Sequence, residues 1–248
     1  MANLKDKIVY QSIDDMEVSP FWTTVLYGET GKRKTTTACE MVKKSGILLC
    51  ADDSWKILHK GIHIQIKNKV RLVEYEGLTQ IENLDFTDVD TVILDPINAM
   101  VEDYLDLLFE KANWGGKYRD ILSTTDPRLK GTSTTAPIDY KVTRDKFRPI
   151  FRGLVRAPVH VIFTAHVANP IPGLSKDLTK RPSLPEATWN VLARFADVVA
   201  FLEGNDKKGF TANVDESVTY CVAKSRIEGI SGKMDLGKFV DAYHDANG

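Results

Sequence analysis

Short apolar runs recur along the chain, separated by segments whose apolar residues follow a longer period. Residues 21–27, 46–51, 70–75, 91–94, 159–165, 198–202 and 218–223 are brief and rich in aliphatic, β-branched or aromatic side chains, which predicts buried strands. Residues 34–44 lack Gly and Pro and place Ala38, Met41 and Val42 at helical spacing. Over residues 140–155, Phe147, Ile150, Phe151 and Leu154 follow the i, i+3, i+4, i+7 pattern, while Lys141, Arg144, Arg148, Arg152 and Arg156 fall on another face, so a second helix is expected, kinked at or beginning near Pro149. Strands alternating with helices predict an α/β fold: a mainly parallel sheet flanked by helices. No internal repeat interrupts it. Residues 114–137 and the stretch "ANPIPGLSKDLTKRPSLPEA" that follows the strand ending near His166 are too long and polar for ordinary connections. In such sheets ligands bind beyond the carboxyl ends of the strands, so strand exits are where chemistry is expected.

The exit of the first strand reads "YGETGKRKTTT". A phosphate-binding loop, G-x-x-x-x-G-K-[ST] (Walker A), needs backbone N–H groups around the phosphates, a lysine for the outer phosphates and a hydroxyl for Mg²⁺. With Gly28 as first glycine, Lys34 and Thr35 take the lysine and hydroxyl positions, and Arg33 stands where the second glycine belongs. The alternative register, with Lys32 as the lysine, puts Arg33 at the hydroxyl position and Leu26 at the first glycine, and fails at both. A strand before and a helix after supply the required context, and the helix N-terminus would face an anion. The nucleotide-binding stretch is therefore Gly28, Glu29, Thr30, Gly31, Lys32, Arg33, Lys34, Thr35 and Thr36; the plain alternative is a glycine-containing turn before a threonine-rich helix.

Later strand exits add polar groups. "DTVILDP" ends an apolar run in Asp95, which suits an aspartate in a Mg²⁺ sphere or simple turn chemistry before proline. "GILLCADD" ends in Asp52 and Asp53, either of which could orient or deprotonate a water, or merely be solvated. "VIFTAH" delivers His166, a sensor of the terminal phosphate or a satisfied strand-end histidine. "YCVAKSR" puts Lys224 and Arg226 on one face of a continuing strand, where they are a solvated edge or cations offered to a neighbour's phosphates.

Charge narrows the partners. The formal net charge of -1 over 248 residues leaves nucleic-acid contact to local patches: the basic stripe within residues 140–156, and Lys176, Lys180 and Arg181. Stacking aromatics are absent from the latter segment until Trp189. Cys39, Cys50 and Cys221 are odd in number and lack metal-ligand spacing, which suggests packing roles in a reducing compartment. With neither a secretory apolar run at the start nor a membrane-length apolar stretch, a soluble cytoplasmic protein is expected.

The ordered series "GETGKRKT", "ILLCADD", "VILDP", "VIFTAH" and "VAKSR" resembles the phage-encoded RecA-like P-loop ATPases, particularly the short recombinases of the Sak group, over roughly residues 20–230. The resemblance implies one RecA-like P-loop domain across residues 1–248 with a short N-terminal extension, 1–20, in the host cell cytoplasm if phage-encoded. It implies ATP and Mg²⁺ as cofactors and single-stranded DNA as partner, in phage recombination or replication. It further implies assembly into a homo-oligomeric ring or filament. Carried over by motif, Lys34 and Thr35 bind phosphate and Mg²⁺, and Asp95 is the second acidic element. Asp52 stands nearest the water-activating acid, His166 is the sensor, and Lys224 and Arg226 act in trans. Arg33 is the departure, and it bears on hydrolysis more than on binding. A hydrolysis-impaired nucleotide-binding scaffold and a small-molecule kinase are the alternatives.

Overall fold

The computed structural model describes residues 20–52, 56, 69–115, 137–168, 179–215 and 221–247. In chain order these form β1 (Thr23–Gly28), α1 (Lys34–Glu40), β2 (Gly46–Cys50), β3 (Val70–Glu74), α2 (Leu78–Glu82), β4 (Thr91–Asp95), α3 (Ile97–Gly115), α4 (Pro137–Arg156), β5 (His160–Ala168), β6 (Arg181–Pro182), α5 (Glu186–Phe195), β7 (Val198–Asn205), β8 (Gly209–Asn213), β9 (Lys224–Ser225), β10 (Lys233–Asp235) and α6 (Leu236–Ala246). The sheet runs β10-β8-β7-β1-β5-β4-β2-β3. From β7 to β3 every neighbouring pair is parallel, whereas β8 and β10 add an antiparallel edge. The fold is therefore α/β, with a mixed, mostly parallel sheet flanked by helices.

Strand alternation decides what each face carries. Val25, Tyr27, Leu49, Val92, Leu94, Val161, Phe163, Val199 and Phe201 point to one side, where they pack with α2, α3, α4 and α5 through Ile81, Ile97, Phe147, Phe151 and Leu192. Leu26, Leu48, Cys50, Ile93, Ile162, Ala200 and Leu202 point to the other, against Ala38, Met41 and Val42 of α1 and Phe239 and Tyr243 of α6. Both faces are covered, which is why the central strands read as unbroken apolar runs.

The connection after β1 leads onto the α1 face and the connection after β4 onto the opposite face. Their divergence opens a crevice at the carboxyl edge between these strands, with β5 lying between them.

Several boundaries differ from the sequence reading. β1 starts two residues later and runs into Gly28, because its ladder with β5 and β7 continues to the loop. Helix α4 passes through Pro149; the ring is exposed, so the carbonyl it leaves without an N–H partner lies where water can solvate it. Of the strand expected over 218–223, residues 218–220 lie outside the described set, and pairing resumes with Cys221 and β9. The β8, β10 and α6 elements were not anticipated, although Leu236, Phe239, Val240 and Tyr243 follow helical spacing and Asp235 caps α6 by accepting from the Gly237 N–H at 2.9 Å. Among the described residues no helix is long and apolar enough to cross a membrane.

Candidate functional site

Gly28 closes β1 against β7. A Cβ there would sit 2.5 Å from the Leu202 carbonyl oxygen, so only glycine lets β1 and β7 approach at the point where the loop begins. Gly31 turns the loop at φ 79° and Arg33 follows at φ 60°, ψ 23°. The arginine in the second-glycine position thus adopts the left-handed conformation that a glycine would supply. Such a residue costs about 1–2 kcal/mol. Its side chain is held in return: a guanidinium nitrogen lies 3.1 Å from Glu40 Oε1 and the group sits 5.7 Å from the centre of the Phe210 ring. Two further contacts tether the loop, with Lys32 Nζ donating to the Gly204 carbonyl at 2.8 Å and Glu29 paired with Lys180 at 3.4 Å.

These terms can be separated by substitution. Arg33→Ala keeps the backbone strain and removes both side-chain contacts, whereas Arg33→Gly removes the strain as well. The glycine variant should therefore be more stable than the alanine variant by about 1 kcal/mol, read from urea unfolding midpoints. The reverse order would show that Arg33 does not hold this conformation in solution.

Lys34 and Thr35 open α1, and both are buried. Lys34 Nζ donates to the carbonyls of Gly28 and Glu29 at 3.1 and 3.0 Å, bridging the start of the loop from its far end. Burial pulls its pKa below the ordinary lysine value, while the negative charges of Asp95 and Asp52 oppose the shift. Thr35 Oγ1 donates to Asp95 Oδ2 at 2.8 Å. Asp95 follows Ile93 on the α1 side of β4, and Thr164 follows Ile162 on the same side of β5; the Thr164 hydroxyl donates to Asp95 Oδ1. Two hydroxyls from two elements therefore fix a carboxylate that is 2% exposed.

The neighbouring strand exit completes an acidic corner. Cys50 pairs with Asp95 across the β2–β4 ladder, and Cys50 Sγ, an Asp52 carboxylate oxygen and an Asp95 carboxylate oxygen all lie within 4.8 Å of one another. The thiol also donates to the Asp52 carbonyl at 2.9 Å. Asp52 is exposed, so this corner is open to solvent on one side. Asp53 lies outside the described residues.

His166 lies opposite Gly28 in the β1–β5 register. Its backbone N–H donates to Asn98 Oδ1 at 2.9 Å and its carbonyl accepts from the Ser183 N–H at 2.7 Å. Burial, then the Lys34 charge, lowers the imidazole pKa, with Asp52 and Asp95 opposing, so the neutral ring is favoured near pH 7. Asn98 also borders a cavity of about 810 Å³ lined by Glu102, Asp106, Arg181, Glu186 and Asn190.

Lys224 and Arg226 are placed elsewhere. Strand β9 pairs antiparallel with the start of β7, Lys224 level with Val199, whereas the loop leaves β1 level with Leu202. Lys224 Nζ donates to the Ala193 carbonyl at 2.6 Å, in the last turn of α5, and Arg226 lies 3.6 Å from Asp197, whose carboxylate also accepts from the Thr23 N–H. Both cations thus stand toward the amino edge, away from this chain's own loop.

The structure thus brings together Gly28 through Thr36, Asp52, Asp95 and His166. Thr164, Asn98 and Cys50 join them without having been singled out from sequence; Thr164 and Cys50 sit two residues before His166 and Asp52, the spacing that keeps a strand's side chains on one face. No protein-family model and no curated protein matches the chain.

Proposed function

We propose that the chain is a Mg²⁺-dependent ATP-binding protein with a RecA-like P-loop core, hydrolysing ATP and acting on single-stranded DNA. The observation that carries this reading is the convergence of Lys34, Thr35 and Asp95 at the carboxyl edge, with a left-handed Arg33 keeping the loop's turn. Fold and charge support it from two directions. The site lies in the crevice where connections diverge, and a buried lysine there is matched to polyphosphate.

The donor set fits a hard divalent cation: the Thr35 hydroxyl and the Asp95 carboxylate would be its oxygen ligands, and Mg²⁺ takes few protein carboxylates while keeping waters. When bound, Mg²⁺ would supply positive charge that neutralises phosphate oxygens. Lys34 would exchange its two carbonyl partners for phosphate oxygens. Thr164 would keep Asp95 oriented once the Thr35 hydroxyl turns toward the metal. Asp52, solvent-facing at the open side, would orient a water and accept its proton, and His166 would report on the terminal phosphate through the strand it shares with Thr164. In a ring or filament, Lys224 and Arg226 would serve a neighbouring subunit by leaving their intrachain partners.

A second reading, a small-molecule kinase, is favoured by the cavity beside Asn98, whose size suits a ligand pocket. ATP hydrolysis measured with and without single-stranded DNA, and with Mg²⁺ or EDTA, separates the two. The proposal expects Mg²⁺-dependent phosphate release that rises when DNA is added. Release absent under every condition despite tight ATP binding would overturn the hydrolytic part and favour the scaffold or kinase reading.

A further inference from the structure

The outer face of α4 carries cations that no described residue neutralises. Lys141, Arg148, Arg152 and Arg156 are exposed, and none has an ion pair or hydrogen bond among the described residues. The cations closest to them on the helix behave differently: Arg144 is half-buried and paired with Asp145 at 2.6 Å, and Lys146 is paired with Glu82 at 2.6 Å. At 100° per residue the four unpaired cations occupy an arc of about 80°. Asp145 is the one described carboxylate of α4 that falls within it, and Arg144 already holds that group.

The row has length and direction. From residue 141 to residue 156 it spans about 22 Å at 1.5 Å per residue, and Arg148, Arg152 and Arg156 are spaced by one turn each. The opposite face of the helix is fixed to the sheet, with Phe147, Phe151 and Phe163 in a chain of ring contacts at 5.6 and 5.4 Å. Helix α4 runs antiparallel to β5, so its row starts beside the carboxyl edge, where Tyr140 borders the same cavity as Asn98, and descends toward the amino edge. A rigid, one-sided line of unpaired cations suits a polymer of regularly spaced negative charges.

We infer that the exposed face of α4 is a track for a nucleic-acid backbone, read through its phosphates and without base selectivity. This assignment deepens the proposed function, because it rests on the reading that the protein handles DNA and names the surface that does so. No exposed aromatic other than Tyr140, at the upper end, accompanies the described row, so stacking contributes little along it and affinity is set by counterion release.

The test uses the full chain and a fluorescently labelled single-stranded oligodeoxythymidine, titrated across a salt series in EDTA without nucleotide. Four phosphate contacts at about 0.7 each give a slope of about −2.8 in log affinity against log salt, so affinity falls about 50-fold over a fourfold rise in salt. In Arg148→Gln/Arg152→Gln/Arg156→Gln the row's share of that loss shrinks to about 3-fold. Replacing the same three residues by lysine should preserve the steep dependence, and ATP affinity should be unchanged in both variants. Equal salt dependence in the wild type and the glutamine variant overturns the proposal, as does loss of binding in the lysine variant. Equal competition by polyglutamate would instead identify an acidic polypeptide as partner, and preferential binding to anionic phospholipid vesicles a membrane surface; either outcome also overturns it. Because no ATP is present, failure here leaves the phosphate-loop reading standing, and a failed phosphate loop leaves this titration unmoved.

Discussion

Replacing Lys34 by alanine should weaken ATP binding by about 100-fold or more, measured by titration calorimetry in the presence of Mg²⁺. The ammonium is the buried cation at the loop, and charge-assisted hydrogen bonds are worth about 1.5–3 kcal/mol each, so losing two phosphate contacts reaches that factor. Substitution also takes the donor away from the Gly28 and Glu29 carbonyls. Lys34→Met therefore accompanies it, since methionine fills the buried space without the desolvation that lowers the lysine pKa. Both variants should lose ATP to a similar degree, while the methionine variant unfolds at higher urea. Lys32→Ala is the internal comparison: its ammonium faces Gly204, and its removal should change affinity by less than about 5-fold, the effect of one ordinary hydrogen bond. Wild-type affinity in Lys34→Ala would remove the loop assignment altogether.

Asp95→Asn should leave the fold intact and lower Mg²⁺-dependent turnover by about 100-fold or more. The amide is nearly the same size and still accepts from one of the two hydroxyls that now reach the carboxylate, so stability should fall by no more than about 1–3 kcal/mol, the cost of one buried polar group losing its partner. What the amide cannot supply is the negative charge that draws the metal. ATP affinity should accordingly lose its response to Mg²⁺. Asp52→Asn provides the contrast, because its carboxylate is exposed at the open side: turnover should fall while Mg²⁺-dependent affinity is largely kept. Small and equal effects from the two substitutions would return both residues to turn chemistry.

Local features of this architecture were readable in one dimension, and long-range ones were not. The loop could be found because strand, turn and helix are consecutive, and Asp95 because it interrupts an apolar run at a strand exit. That Thr35 and Asp95 touch depends on β4 lying beyond β5 in the sheet, an order that pairwise patterning does not encode. The same applies to Cys50 beside Asp95 and to Asn98 beneath His166. Arg33 illustrates a different limit: the missing glycine and its cost are visible in the string, but Phe210, the ring that supports the arginine, lies 177 positions later. Lys224 and Arg226 show how strand direction matters. Their spacing was evident, yet only the antiparallel pairing of β9 with the first residues of β7 sends them to the amino edge.

The position of β1 between β5 and β7 sets a timetable for synthesis. The strand that ends in the phosphate-loop signature emerges from the ribosome before both of its partners, which are contributed by residues 160–168 and 198–205. Until β5 has been made β1 has neither ladder, and until β7 follows it lacks the second and Gly28 has no Leu202 carbonyl to pack against. Translation at about 5–20 residues per second places roughly 9–35 seconds between the appearance of Gly28 and that of Leu202. During that interval the growing chain carries an apolar strand that lacks one or both of its neighbours, a state prone to wrong pairing. The loop thus gains its β7 wall only after residue 202 has been made, and a chain terminated before β7 would contain every residue of the loop signature while lacking the wall that shapes it.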